Sequence, residues 1–306
     1  MRKTFINTLV ELARKDKRIF LITPDIGYSV LEPFMHEFPE RYLNVGVAEQ
    51  NAVSIAAGLA LSGLIPYVYT IMPFVAMRPY EQIRVDVAYM NTNVRIIGVG
   101  AGFSYGAAGA THHSIEDIAI MRCMPNMTVI CPGDPWEVEQ SIIASQSYEG
   151  PMFFRLGKQG EPNINSNKSK FKIGKGITIK KGSDLHIITT SNTLEMSNEI
   201  CELLKKKNLS ASLISMHTIK PLDTRLINSL LKTNKPIFTI EEHSRIGGLG
   251  SAVAEIIAES KFHPVFKRFG LDDQFSHYVG SHSFIKEKYG LTIPIITSKI
   301  LKSILN

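Results

Sequence analysis

Short apolar runs alternate with amphipathic stretches along the first half of the chain. The apolar runs are rich in β-branched residues and are closed by Gly or Pro, as buried strands are; they cover residues 18–23, 94–99 and 127–131. Helical periodicity appears at residues 5–15, 49–62, 79–90 and 134–144. Strands separated by helices of this length predict a mostly parallel sheet with helices on both faces.

A polar segment interrupts this pattern, and a second alternating pattern follows it. Residues 157–182 are rich in Lys, Asn, Ser and Gly and predict a weakly structured linker with a short hairpin around residues 174–176. Beyond it, strands are predicted at residues 185–190, 210–214 and 236–240, and helices at residues 195–207, 224–231 and 251–259. We therefore predict two doubly wound α/β domains, over residues 1–160 and 183–306, joined by a linker at residues 161–182.

Composition fits this picture and removes several classes of protein. The 306 residues are 44% hydrophobic and 20% charged, which excludes a disordered or collagen-like chain. Six lysines between residues 168 and 181 equal the net charge of +6, so we assign the basic surplus to the linker and expect no nucleic-acid partner. No apolar run approaches the ~20 residues of a bilayer span. We therefore expect no membrane association.

The start of the chain and the cysteines predict a cellular compartment. Residues 1–4 are not followed by the apolar segment and small-residue cleavage site of a secretory signal. Cys123, Cys131 and Cys201 are widely spaced and form no CxxC pair, so we expect buried thiols in a reducing compartment, the cytoplasm.

One candidate for chemistry lies where a predicted strand passes through Gly46 into an apolar helix. Glu49 stands at the start of that helix, where the helix dipole alone would favour an acidic residue. However, alanines and valines surround it, among them Ala48, Ala52 and Val53. We expect the carboxyl to be desolvated and able to share a proton with a bound base.

A second candidate is the Gly- and Ala-rich loop that follows the strand at residues 94–99. Its glycines allow the backbone to approach a ligand closely, but the segment departs from GxGxxG, so a dinucleotide site is disfavoured. His112 and His113 are followed by Glu116 and Asp117 in a spacing that fits no standard metal-ligand set. We expect no metal here and a histidine that acts on substrate oxygens.

A third candidate is the glycine turn at residues 247–250, with Glu241, Glu242 and His243 before it. Such a turn can hold phosphate at a helix start. Two carboxylates nearby argue against an anion, and we expect the turn to serve tight strand-to-helix packing.

Taken together, these segments resemble the transketolase family of thiamin-diphosphate enzymes. The likeness is carried, in family order and over nearly the whole chain, by residues 46–51, 70–74 with Arg84 beyond, 109–117 and 241–250. The resemblance implies a pyrimidine-binding domain followed by the family's C-terminal domain. It also implies transfer of a two-carbon ketol unit from a ketose to an aldose sugar.

One family motif is absent from these 306 residues: the GDG sequence with a downstream Asn that holds the cofactor diphosphate through Mg²⁺. The resemblance therefore implies the C-terminal half, or β subunit, of a split transketolase. A separate N-terminal subunit with the GDG and Asn motif would hold the diphosphate and Mg²⁺. We expect an α2β2 heterotetramer and an inactive isolated chain.

The resemblance also implies roles for individual residues. Glu49 matches the glutamate that contacts N1′ of the cofactor's aminopyrimidine, and Phe74 matches the aromatic residue that stacks on that ring. Ile71 and Met77 occupy flanking cofactor positions where aromatic residues are common in the family. His112 matches a histidine that bonds the donor substrate.

Departures from the family pattern bear on the substrate. His113 stands where Gln is usual, Ala108 replaces an aspartate, Gly100 replaces a histidine and Cys131 replaces an arginine. Losing that arginine removes a bidentate grip on phosphate. The remaining phosphate contacts of the family match Ser29 and Arg2, the latter at a terminus that could fray. We expect a substrate other than an ordinary sugar phosphate, such as an unphosphorylated or nucleotide-linked sugar.

Other functions stay open at this point. The β subunit of a 2-oxo-acid dehydrogenase shares the two-domain plan and also lacks the diphosphate motif. Half of a 1-deoxyxylulose-phosphate synthase fits less well, because those enzymes are normally single chains. A non-catalytic, partner-binding subunit is the alternative of another class, and the presence of Glu49 and His112 argues against it.

Overall fold

The computed structural model describes residues 1–158, 160–165 and 170–305, and it contains two sheets. The first has seven strands in the order β10-β5-β6-β4-β3-β1-β2. Its strands are β1 (Ile19–Thr23), β2 (Tyr42–Asn44), β3 (Ile65–Ile71), β4 (Arg95–Val99), β5 (Thr128–Ile130), β6 (Met152–Leu156) and β10 (Thr218–Lys220). All neighbouring strands are parallel except β10 and β5.

Helices cover both faces of this sheet, and its strands β3 to β6 are therefore buried along their whole length. The helical elements are α1 (Arg2–Lys15), α2 (Glu32–Glu37), α3 (Glu49–Leu61), α4 (Met72–Met77), α5 (Tyr80–Gln82), a π-helix (Ile83–Tyr89), α6 (Asp117–Arg122) and α7 (Pro135–Ser145). The apolar side chains form one cluster on each face of the sheet, as a doubly wound fold requires.

The second sheet has the order β12-β11-β8-β9-β7. Its strands are β7 (Ile177–Lys180), β8 (Leu185–Thr189), β9 (Ala211–Ser215), β11 (Ile237–Ser244) and β12 (Phe266–Leu271). Its helices are α8 (Leu194–Lys205), α9 (Thr224–Leu231), α10 (Leu249–Ala258), α11 (His282–Lys288) and α12 (Ile293–Leu305). The predicted fold of two doubly wound α/β units is therefore confirmed.

Several details differ from the sequence-based expectations. Strand β7 lies inside the predicted linker and pairs antiparallel with β9, so the linker is shorter than predicted. The predicted hairpin is a turn in which the Lys175 N–H donates to Lys172. Of the six lysines assigned to the linker, Lys168 lies outside the described residues, and Lys175 pairs with Asp223.

Two further expectations were wrong in detail. The helix predicted at residues 79–90 is a single turn followed by the π-helix, and the Met90 N–H donates to the Val85 carbonyl five residues back. Cys123 is exposed rather than buried, whereas Cys131 and Cys201 are buried as predicted, and all three are free thiols.

The two units are joined by buried polar contacts. Arg155 of β6 donates to Asp117 in the first unit and to Ser191 and the Glu242 carbonyl in the second. The Glu242 carboxylate in turn accepts the N–H of Phe103 over 2.6 Å. These contacts hold the loop after β4 against the second unit. In the described ranges, no helix combines the length and the apolar character that crossing a bilayer requires.

Candidate active site

The carboxyl edge of the first sheet gathers the main predicted residues. Glu49 begins α3 after β2, Phe74 lies in α4 after β3, and His112 lies in the loop after β4. Gly46 makes the turn from β2 into α3 with φ +71°, a conformation that favours glycine. Parallel strands end at one edge of a sheet, so these three segments converge there.

The Glu49 carboxyl is almost entirely withdrawn from water. Its side chain is 4% exposed, and the apolar residues Ala52 and Val53 follow it on the buried side of α3. The Arg78 Nη1 atom donates a hydrogen bond to Glu49 Oε1 over 2.8 Å. A buried carboxylate requires such a partner, because desolvation without compensation is costly. Glu49 is therefore a buried carboxyl at the start of α3 that is held by an ion pair.

Phe74 offers an aromatic surface beside that carboxyl. The Arg78 guanidinium lies over the Phe74 ring, with Cζ 3.9 Å from the ring centre. The His112 ring meets Phe74 edge-on, with ring centres 5.0 Å apart. A guanidinium thus already lies over Phe74 while donating to Glu49. The two residues together fit an aminopyrimidine ring, which has a stacking face and a nitrogen that can pair with a carboxyl.

Ile71 and Met77, the two positions predicted to flank the cofactor, differ in exposure. Ile71 is buried at the end of β3, directly before α4, and Met77 at the end of α4 is 38% exposed. Neither brings a polar group to the pocket. These two positions therefore contribute only apolar side chains.

The adjacent histidines face different surroundings. His112 is half-buried, and its Nδ1 atom lies 3.0 Å from the Thr111 hydroxyl. His113 is buried and packs edge-on against Phe103, with ring centres 5.0 Å apart. Burial lowers the pKa of His113 below the usual value, which keeps the imidazole neutral. Phe74, Arg78 and His112 form a partly exposed surface, the opening of the site, whereas His113 is buried.

The Tyr105 ring occupies the space beside Gly100 in the loop after β4. Gly100 has φ +94°, and a Cβ atom there would lie 2.2 Å from the Tyr105 ring. A histidine at position 100, as in the family pattern, would therefore displace this ring. Tyr105 also lies near His112, with ring centres 6.4 Å apart. Burial raises the pKa of the Tyr105 hydroxyl, which stays protonated and can donate.

Two cations border Tyr105. The Lys158 ammonium lies 4.5 Å from the centre of the Tyr105 ring. Arg2, at the start of α1, donates from Nε to the Lys158 carbonyl over 2.8 Å, which ties this end of the helix to residue 158. Lys158 is absent from the residues predicted for the site. No local pattern indicates it, because it meets Arg2 across 156 residues of chain.

The other positions that bear on the predicted substrate, Ser29, Ala108 and Cys131, lie in three different settings. Ser29 lies in an exposed loop with φ +61°, and its N–H donates to Glu32. Ala108 is exposed on the loop after β4. Cys131 is fully buried, and its N–H donates to the His217 carbonyl. A buried cysteine at this position offers no cation to a phosphate, and the loss of a family arginine there stays a prediction.

The glycine turn before α10 serves packing, as predicted. The Glu241 carboxylate accepts the N–H groups of Leu249 and Gly250, each over 2.8 Å. It thereby occupies the helix start that an anion would need. Within residues 1–158, 160–165 and 170–305, no three His, Cys, Asp or Glu side chains are grouped to hold a metal ion.

Comparison with known proteins agrees with this geometry. The family model described as transketolase, pyrimidine binding domain, matches residues 1–162, and the transketolase C-terminal domain matches residues 174–293. A putative transketolase C-terminal section of Methanocaldococcus jannaschii is 38% identical, covering 99% of this chain and 95% of the relative. One subunit of the apulose-4-phosphate transketolase of Phocaeicola vulgatus is 39% identical, covering 95% of this chain and 93% of the relative.

A solved structure shares the fold along its whole length. This structure, a split gene transketolase in an inactive beta4 tetramer, has a TM-score of 0.91 and 34% identity. The match covers 99% of this chain and 98% of that one.

Proposed function

Because the chain belongs to the transketolase family and consists of its pyrimidine-binding and C-terminal domains, we propose that it is the C-terminal subunit of a split transketolase. It transfers a two-carbon ketol unit from a ketose to an aldose through thiamin diphosphate, and it does so only with a partner subunit. The observation that carries the proposal is the buried Glu49 carboxyl beside the Phe74 face. Relatives that are transketolase sections or subunits do not favour the 2-oxo-acid dehydrogenase alternative.

In this proposal, the residues of this chain bind the pyrimidine ring of the cofactor and exchange a proton with it. Glu49 would pair with the aminopyrimidine N1′ atom and share a proton with it, and the Phe74 ring would stack on the pyrimidine. Thiamin diphosphate, when bound, supplies the carbon centre that accepts the two-carbon unit. Because the Glu49 side chain is 4% exposed, its carboxyl would exchange a proton with the bound ring rather than with bulk water. His112 at the opening would bond the donor sugar's oxygens and exchange protons with them.

The other half of the site belongs to a separate subunit in this proposal. That subunit carries the GDG sequence and downstream Asn, and it holds the diphosphate and Mg²⁺. Two relatives, one named as a C-terminal section and one as a transketolase subunit, are covered over 95% and 93% of their lengths, which supports a partner of this kind. We propose an α2β2 heterotetramer located in the cytoplasm, where the three free cysteines stay reduced.

The substrate follows from the groups around Tyr105. Arg2 and Lys158 support a sugar with an anionic end, while Tyr105 in place of the family histidine supports a sugar other than the ordinary set. The relative from Phocaeicola vulgatus is named for such a sugar, apulose 4-phosphate. The sequence-based expectation of an unphosphorylated or nucleotide-linked sugar is the competing outcome.

Reconstitution tests the catalytic assignment. The chain is purified together with a partner that carries the GDG sequence, and two-carbon transfer is measured for the unaltered complex and for Glu49→Gln. We expect a loss of roughly 10²–10⁴-fold or more, the usual effect of removing an acid–base group. Glu139→Gln, an exposed site on α7, is the matched control and keeps full activity. Turnover unchanged by Glu49→Gln would refute the assignment.

Substrate class is tested with paired ketoses. Lys158→Met should raise KM for a phosphorylated ketose about tenfold and leave KM for its dephosphorylated analogue unchanged, because only the former loses an ion pair. Lys3→Met, beside Arg2 but exposed, is the control. Equal rates on the two sugars in the unaltered enzyme would instead support the unphosphorylated substrate.

A further inference from the structure

Arg78 makes, within this chain, the same two contacts that the aminopyrimidine requires. Its guanidinium lies over Phe74, with Cζ 3.9 Å from the ring centre, and donates to Glu49 over 2.8 Å. We propose that Arg78 is a displaceable internal occupant of the pyrimidine seat, which keeps Glu49 paired until thiamin diphosphate arrives. The inference rests on the proposed function, because it takes Glu49 and Phe74 as the pyrimidine site.

The two contacts cannot be shared. The guanidinium, with Cζ 3.9 Å from the ring centre, covers one face of Phe74 and leaves no room there for a pyrimidine ring. The guanidinium and the aminopyrimidine would also compete for the same Glu49 carboxyl. A pyrimidine ring that stacks on this face therefore has to displace Arg78.

Arg78 is built to leave at low cost. Its side chain is 42% exposed, whereas the Glu49 side chain is 4% exposed. The arginine lies at the end of α4, and its φ of −62° and ψ of −49° are helical. A guanidinium this close to solvent regains full hydration when it swings outward, while Glu49 can regain its partner only from the incoming ring.

The occupant also explains how a cofactor-free chain tolerates the site. A carboxylate withdrawn from water without a partner strongly destabilises a fold. Arg78 neutralises Glu49 in the free chain, and its stacking covers the Phe74 face with a cation–π contact. The occupied state therefore lowers the apparent cofactor affinity by the fraction of molecules in which the seat is open.

Calorimetric titration of thiamin diphosphate into the assembled complex tests this directly. Arg78→Met should tighten the dissociation constant about tenfold, because the seat no longer has to be vacated. The dissociation constant for Arg78→Lys should lie between those of Arg78→Met and the unaltered complex, since an ammonium pairs with the carboxylate but has no planar group to cover the ring. Arg225→Met, the same change at an exposed position on α9, should leave the affinity unchanged. Unchanged or weaker binding by Arg78→Met and Arg78→Lys would overturn the inference.

Thermal unfolding of the cofactor-free full chain gives an independent readout. Arg78→Met should lower Tm because Glu49 loses its partner, and in a Glu49→Gln background the same change should lower Tm much less. Equal losses in both backgrounds would contradict the inference.

The two proposals fail differently. If Glu49→Gln leaves cofactor affinity unchanged, the pyrimidine site itself is misassigned. If Glu49→Gln weakens binding while Arg78→Met does not tighten it, the site stands and only the role of Arg78 is wrong.

Discussion

Arg155 and Asp117 form an ion pair sealed from water: the Nε and Oδ2 atoms are 2.8 Å apart, and the side chains are 1% and 0% exposed. The remaining guanidinium donors reach Ser191 and the carbonyls of Ser114 and Glu242. One buried cation thus connects the histidine loop, β6 and the second domain. Asp117 is required for stability, because without it the Arg155 charge would be buried with no ionic partner.

Asp117→Asn is therefore expected to destabilise the chain strongly. Removing one partner of a buried pair costs about 3–5 kcal/mol, whereas an exposed pair contributes up to about 1 kcal/mol. Glu255→Gln is the matched control, since Glu255 pairs with Arg122 and is 61% exposed. Urea unfolding of the full chain measures both variants. Similar losses for the two would show that burial of the Arg155 pair has little energetic weight.

Glu242 is expected to position the substrate loop from the second domain. Burial opposes its ionisation, but His282 and the Phe103 N–H outweigh burial and hold the pKa of Glu242 below the usual range. Gly102 packs so closely that a Cβ there would lie 2.3 Å from the carboxylate.

Glu242→Ala should thus raise KM for the donor sugar several-fold while leaving thiamin-diphosphate affinity unchanged, because the loop carries His112 but not Glu49. Steady-state kinetics and calorimetry on the assembled complex separate the two effects. Loss of cofactor affinity together with a raised KM would indicate a general loss of structure.

Two glycines with nearly equal φ angles distinguish the cost of backbone strain from the effect of moving the Tyr105 ring. Gly100 has φ +94° and Gly63 has φ +90°, but a Cβ at Gly100 meets Tyr105 at 2.2 Å whereas one at Gly63 meets nothing within 4 Å. Each alanine variant should lose roughly 1–2 kcal/mol of stability from the left-handed backbone. Only Gly100→Ala should also raise KM for the donor sugar, because it moves the Tyr105 ring. Equal KM values in the two variants would exclude Tyr105 from the substrate pocket.

The buried carboxyl of Glu137 should make stability depend on pH. Burial, and then the charge of Asp134, raise its pKa from 4.5 to about 7. The folded chain therefore binds this proton more tightly than the unfolded chain. The corresponding stabilisation is complete below pH 4.5 and is lost as pH rises to about 7.

Glu137→Gln, which mimics the protonated form, should remove that loss, amounting to at most about 3 kcal/mol. Glu241 has its pKa raised to about 7 by burial as well, so the unaltered chain loses more than this one contribution. Urea unfolding is therefore measured at about pH 5 and about pH 8, on either side of the folded pKa. The quantity compared at each pH is the difference in free energy of unfolding between Glu137→Gln and the unaltered chain. Glu139→Gln is the control, and a pH-independent difference for Glu137→Gln would contradict the prediction.

The sequence by itself determined the order of elements and the main chemical group of the site. Periodicity identified most strands and helices, since apolar spacing follows directly from which face of an element is buried. The short strand β2, Gly46 and the apolar start of α3 were enough to single out Glu49. The i, i+4 spacing of Phe74 and Arg78 on one helix is also compatible with their contact, but spacing alone does not say that Arg78 turns toward Glu49.

The tertiary structure alone decided what surrounds that group. Arg2 meets Lys158 and Arg78 reaches Glu49 because the folded chain brings together residues 156 and 29 positions apart. Folding also places His112 and His113 in different surroundings. It leaves Cys131 buried and Cys123 exposed. Neighbouring residues acquire opposite environments when a loop packs on one side against another domain. Local patterns record propensity and periodicity, whereas burial and pairing depend on which distant surfaces meet.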